Sequence, residues 1–151
     1  MKNCIFCKII VGEIPSYKIY DDKNHIAILD VNPNTIGQTL ILTKKHYPSY
    51  IFEMKDKVYL DFMRISKKVA KIIDKKLKIK RTAMVMEGMG VDHAHIKLYP
   101  LHGLKEKFEE TWHPKKVFFK NYQGYITTLM GPKAKKEYLE KIFKKIKSSK
   151  V

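Results

Sequence analysis

The ten residues Val91-Asp92-His93-Ala94-His95-Ile96-Lys97-Leu98-Tyr99-Pro100 constrain this chain most. Read with a period of two, Ala94, Ile96 and Leu98 fall on one side, and His93, His95, Lys97 and Tyr99 on the other, as in a half-buried β-strand. One side is made for a core and the other for chemistry. Alternate side chains on a strand stand roughly 6.5–7 Å apart, near enough for two imidazoles and an ammonium to converge on one anion such as a phosphate. Pro100 has no N–H to give to a ladder, so the pairing is expected to stop there. A His-x-His pair by itself fits two partly exposed strand histidines equally well, and the rest of the chain has to decide.

Around this strand the chain reads as an α+β domain. Cys4 to Gly12 suits a short turn and helix that Ile14-Pro15 prevents from continuing. Tyr17 to Tyr20, His25 to Val31 and Gln38 to Thr43 are of strand length. Asp21 to Asn24 and Asn32 to Gly37 supply the turn chemistry between them. From Lys55 to Leu77 the apolar residues Val58, Phe62, Ile65, Val69, Ile72, Ile73 and Leu77 recur at three and four, the mark of an amphipathic helix. Thr82 to Glu87 is a further strand, which Gly88-Met89-Gly90 turns into the histidine strand as a hairpin. Gly124 to Met130 suits a short strand or arm. A terminal helix is expected to start at Gly131-Pro132, with Tyr138, Leu139, Ile142, Phe143 and Ile146 on one stripe.

At 151 residues the chain has room for one domain with a sizeable core, so residues 1–151 are read as a single domain. No stretch reaches the run of about 18 apolar residues that a membrane span requires, and membrane association is not expected. Met1-Lys2-Asn3-Cys4 lacks the apolar region of a signal peptide, so a cytoplasmic location is expected. The net charge of +16 favours anionic partners, nucleic acid among them, without specifying one. The lysines of 67–80 and 133–147 also fit solvated helix faces. Cys4 and Cys7, in a reducing compartment, suit a metal or redox site better than a structural disulfide.

Three ordered motifs carry a resemblance to a known family. They are Cys4-Ile5-Phe6-Cys7-Lys8-Ile9-Ile10 leading to Gly12-Glu13-Ile14-Pro15; Leu29-Asp30-Val31-Asn32-Pro33 followed by Gly37-Gln38-Thr39-Leu40-Ile41 and Lys44-Lys45-His46; and His93-x-His95-x-Lys97 before Pro100. Together, over residues 4–100, the chain resembles the histidine-triad (HIT) nucleotide hydrolases and transferases, of the kind with a Cys-x-x-Cys pair and zinc. The resemblance implies a HIT-like fold: a mainly antiparallel five-stranded sheet with a long helix across it, a C-terminal helix and a homodimer.

It also implies the site. The middle histidine of the family signature is the nucleophile, and that position here is His95. Neutral imidazole attacks the α-phosphorus, and water or another acceptor then releases the nucleotide from nucleotidyl-histidine. A backbone carbonyl is expected to hold one ring nitrogen of His95 as a donor and leave the other free. The third position is Lys97 where the family has histidine. A lysine offers charge to phosphate oxygens but is a poorer proton shuttle at neutral pH. Gln38 stands where many relatives have histidine, and the connection Glu87 to Asp92 lacks the family's Gly-Gln-Ser/Thr segment.

The resemblance makes Cys4, Cys7, His46 and His93 the ligands of a structural Zn²⁺; the same cysteines also suit small packed thiols. It sets Asp30 at the ribose hydroxyls of a purine nucleotide, Val31 against the base, and Ile28 and Phe6 nearby. Asp30 also fits a strand-end residue that starts the Asn32-Pro33 turn. The function implied is hydrolysis or transfer at the α-phosphate of a nucleoside phosphoramidate, adenylylated amine or dinucleoside polyphosphate. The alternative is a catalytically weak nucleotide- or RNA-binding protein that keeps the fold.

Overall fold

The computed structural model describes residues 3–104, 114–129 and 131–148; Trp112, His113 and Met130 lie outside the described residues. The chain divides into two compact units, Met1–Glu106 and Lys107–Val151.

In the first unit α1 (Ile5–Ile10), β1 (Lys18–Asp21), β2 (His25–Leu29), β3 (Thr39–Thr43), a 3-10 turn (Ile51–Glu53), α2 (Asp56–Leu77), β4 (Thr82–Val85) and β5 (His95–Pro100) follow in that order. The strands form one sheet in the order β1-β2-β3-β5-β4, and every neighbouring pair is antiparallel. This is the α+β architecture that the period-two and period-3.6 stretches lead one to expect.

The interior strands β2 and β3 read as nearly continuous apolar runs because both of their faces are covered. On one face Ala27, Ile41, Ile96 and Leu98 meet Phe62, Ile65, Val69 and Ile73 of α2. On the other, Ile26, Ile28, Leu40 and Leu42 pack with Phe6 of α1 and, at the rim, with Cys4, Ile9, Ile10 and Val91. Each fully buried aliphatic or aromatic side chain contributes on the order of 1.5–3 kcal/mol of gross burial energy. The edge strand β1 exposes Lys18 and Asp21, as a charged edge should, and the edge strand β4 exposes Met84.

Register fixes the chemistry. Leu42 pairs with His95 and Leu40 with Lys97, so His95 and Lys97 share the face of α1 rather than that of α2. Two expectations for this strand need correcting. β5 begins at His95, so His93 and Ala94 lie in the bend before it. Pro100 is itself paired, with Thr82, and Leu101 N–H still donates to the Arg81 carbonyl at 2.9 Å. A proline at the last position of a strand forfeits only its own donor. β4 and β5 do pair, but through a loop from Met86 to Ala94 and not a tight turn.

The second unit contains α3 (Lys136–Ser148). Residues 124–129 form no strand, and the helix starts at Lys136 rather than at Gly131-Pro132. Lys133, Lys135 and Lys136 would crowd an earlier N-terminus with charge of the same sign as its dipole, whereas a start at Lys136 brings Glu137 into the first turn. Phe119 and Tyr125 meet edge-on, with centroids 5.8 Å apart.

Candidate active site and metal centre

Two segments are tied together at the end of β3. Ala94 N–H donates to the Tyr47 carbonyl at 2.9 Å, and Asp92 Oδ1 accepts from Ser49 N–H at 2.9 Å. Gly88 lets the Met86–Ala94 loop close in: its φ is +73°, and a β-carbon there would sit 2.8 Å from the Ser49 carbonyl oxygen. This lashing brings His46 and His93, distant in sequence, to one place.

His93 is fully buried, and its Nε2–H donates to the Thr43 carbonyl at 2.8 Å, so Nδ1 carries the lone pair. That nitrogen lies 3.2 Å from His46 Nδ1 and 3.5 Å from the Sγ atoms of both Cys4 and Cys7; Cys7 Sγ is 3.4 Å from His46 Nδ1. The α1 segment supplies the thiols, since Cys4 at its N-cap and Cys7 one turn on point the same way. All four ligand atoms lie within 4.8 Å of one another. Ligands bound at zinc–nitrogen and zinc–sulfur lengths around a tetrahedral centre stand roughly 3.3–3.8 Å apart, and four of the six pairs in the cluster, at 3.2–3.5 Å, lie close to that range. Its chemistry agrees. Burial first, and then the neighbouring Cys4, push the Cys7 thiol up; two adjacent thiolates need a cation between them. Cys4, Cys7, His46 and His93 can therefore hold a metal ion.

His95 follows directly. Its Nδ1–H donates to the His93 carbonyl at 2.7 Å, which leaves Nε2 with the lone pair, as the sequence reading expects of a backbone carbonyl. The ring is 4% exposed and meets the edge of Phe6 at 5.3 Å. Its pKa lies below the ordinary imidazole value. Burial is the main cause, the bond to His93 works against it, Lys97 adds to the lowering, and Glu87 opposes. The imidazole is thus neutral at pH 7. Lys97, half-buried, reaches to 4.0 Å from Glu87 Oε2.

The nucleotide-binding candidates divide. Asp30 accepts from Asn32 N–H through Oδ1 at 2.9 Å and from Gln38 Nε2 through Oδ2 at 2.6 Å. It therefore does start the Asn32-Pro33 turn, and each oxygen keeps a further lone pair. Farther along the His95 face, burial raises the pKa of Tyr99, and the charges of Asp30 and then Glu87 raise it further; both carboxylates act on that row of side chains. Val31 is 79% exposed, whereas Ile28 and Phe6 belong to the core on the α1 face. His25 is buried on Phe62, and His102 Nε2 donates to the Ile36 carbonyl; both serve the fold.

Gln38 and Glu87 are the residues that sequence reasoning undervalued. Gln38, read only as a departure from the family pattern, is buried. Its Oε1 accepts from Asn34 N–H at 2.8 Å while its amide grips Asp30. The available signal was a polar residue at the entrance of an otherwise apolar strand.

Comparison with known proteins agrees with this geometry. The HIT domain model matches residues 11–103. An adenosine 5′-monophosphoramidase of Saccharomyces cerevisiae is 39% identical over 103 residues, which is 64% of this chain and 61% of that protein. The crystal structure of a HIT family member from Bacillus subtilis superposes with a TM-score of 0.66 at 28% identity, over 99% of this chain and 98% of the other. A zinc-bound histidine triad protein from Mycobacterium smegmatis gives a TM-score of 0.63 at 25% identity, over 76% of this chain and 85% of its own. The matched segment takes in Asp30, His46, His93, His95 and Lys97 and leaves the cysteine pair just upstream; this chain belongs to the histidine-triad (HIT) family.

Proposed function

We propose that the protein hydrolyses or transfers at the α-phosphate of a nucleoside phosphoramidate, adenylylated amine or dinucleoside polyphosphate, with His95 as the nucleophile. The observation that carries this reading is the His95 ring itself: Nδ1 is spent on the His93 carbonyl, and Nε2 is a neutral lone-pair nitrogen on the face shared with Lys97. In the first step Nε2 attacks the α-phosphorus and the bond to the leaving group breaks. The imidazole nitrogen now bears the nucleotidyl group, and the leaving group takes up a proton from solvent, which the attacking water returns in the second step. In the second, water attacks, the phosphorus–nitrogen bond breaks, and the nucleoside monophosphate departs. Lys97 gives positive charge to the phosphate oxygens. Asp30, held by Gln38, accepts from the ribose hydroxyls with its remaining lone pairs, and Val31 lies against the purine. The monophosphoramidase similar to this chain supports the reaction class.

Cys4, Cys7, His46 and His93 would hold Zn²⁺ as a structural ion, tying α1 to the bend that orients His95. A homodimer in the cytoplasm belongs to the same reading. Light scattering of the full chain tests the dimer.

The deciding experiment uses adenosine phosphoramidate. His95→Asn is expected to lower turnover at least ~10³-fold, as loss of a nucleophile does, with adenosine monophosphate binding retained. Mass spectrometry of the wild type quenched in alkaline denaturant, which spares the acid-labile phosphorus–nitrogen bond, should find a nucleotidyl adduct on the peptide bearing His95. Equal turnover by variant and wild type rejects the reading; binding without turnover in the wild type leaves a nucleotide-binding protein.

A further inference from the structure

The segment that carries His46 also walls a cavity on the opposite side of the sheet. Thr43 pairs with His25, and His25 stacks on Phe62 of α2 at 5.7 Å, so both side chains lie on the α2 face, away from the His95 row. There they line a cavity of about 620 Å³, within the roughly 300–1,000 Å³ of small-ligand sites.

Its walls are cationic where most such sites are apolar. Lys23, Lys44, Lys45, Lys57 and Arg64 stand against one carboxylate, Asp61. Asp61 is already engaged, with Asn24 Nδ2 donating at 3.3 Å and the His25 ring nitrogen Nε2 lying 3.9 Å away. Lys44 pairs with Asp21, and Lys45 lies over the Tyr47 ring. Lys23, Lys57 and Arg64 have no ion-pair partner among the described residues. A second, independent observation concerns the floor. Thr43 is 2% exposed, and its Oγ1 is the buried side-chain polar atom that lacks a hydrogen-bond partner among the described residues. Such an orphan is destabilising unless it finds a partner. A hydroxyl wanting a partner and cations wanting a counter-charge call for the same chemistry.

We propose that this cavity is a second binding site, distinct from the His95 face, for a small oligophosphate, an anion of two or more linked phosphates. The Thr43 hydroxyl donates to a phosphate oxygen at the floor, and Lys23, Lys57 and Arg64 neutralise the rest. A single phosphate would leave most of the volume empty and most of the cations unmatched, since they are spread from the β1–β2 turn to the third turn of α2.

Calorimetric titration of the full chain with tripolyphosphate at low ionic strength tests this. The expected result is saturable binding that Lys57→Ala/Arg64→Ala weakens about tenfold or more, the loss of two charge-assisted contacts. Thr43→Val should weaken it without lowering Tm, because the lost hydroxyl has no partner within the fold. Lys75→Ala/Lys76→Ala removes the same charge from the far end of α2 and should leave affinity unchanged. Equal losses from the two double variants would make the binding a property of net charge and overturn the site; absence of saturable binding would do the same. A single-stranded oligoribonucleotide that binds where tripolyphosphate does not would overturn the ligand class.

Discussion

His95 is aimed by the peptide two residues before it, and Lys97 stands beside it with Glu87 at 4.0 Å. On the proposed reading, Lys97→Met removes a charge that matters chiefly in the transition state. kcat should fall about 10²-fold with KM little changed. Lys97→His restores a proton shuttle and should recover much of that loss; steady-state kinetics on adenosine phosphoramidate separates the two outcomes. Asp22 makes a different residue-scale prediction. Burial would raise its pKa, but the N–H groups of Asn24 and His25 and the Tyr20 hydroxyl outweigh burial and hold it below the usual carboxylate range, with the His25 ring alongside. A carboxyl depressed on folding adds stability above its unfolded pKa, about 3.9, and gives it up as pH falls through the folded value. Asp22→Ala should therefore cost about 1 kcal/mol at pH 7, and the gap from wild type should close below about pH 4 in urea titrations at several pH values.

At the scale of elements, α2 decides the shape of the unit because its buried stripe covers the sheet from Phe62 to Ile73. Its ends were legible to within a residue, for the apolar period stops at Leu77. Its mode of ending was not. Lys78 takes φ 54° and ψ 43°, the left-handed conformation that glycine adopts without strain, and Ile79 N–H closes on the Asp74 carbonyl at 3.0 Å. Lys78→Gly should raise stability by about 0.5–1 kcal/mol, read as a higher urea midpoint at unchanged slope. The bend before β5 was also hidden. Alternation of side chains carries on through His93 and Ala94, but Nε2 of His93 and N–H of Ala94 are taken by Thr43 and Tyr47, so pairing with β3 starts only at His95.

For the whole molecule, Cys4, Cys7, His46 and His93 come from α1, the end of β3 and the approach to β5, so an ion held by them would tie all three together. Protein purified without added metal is expected to contain one zinc ion per chain. Chelation at neutral pH should lower Tm markedly in the wild type and hardly at all in Cys4→Ser, since binding to a structural site is itself folding free energy. Equal metal content in wild type and Cys4→Ser would count against these ligands. The sequence by itself determined where the five strands of the sheet lie to within a few residues, the long helix, the order of the motifs and the facing of His95 and Lys97, because periodicity is local and survives without knowledge of neighbours. The tertiary structure alone decided that Gln38 holds Asp30, that Glu87 reaches Lys97, that Thr43 supports His93 with its carbonyl and also lines a cationic cavity, and that two cysteines and two histidines from three segments meet. Each of these is a contact between residues far apart in the chain, and such contacts are fixed by the strand order and register of the folded sheet.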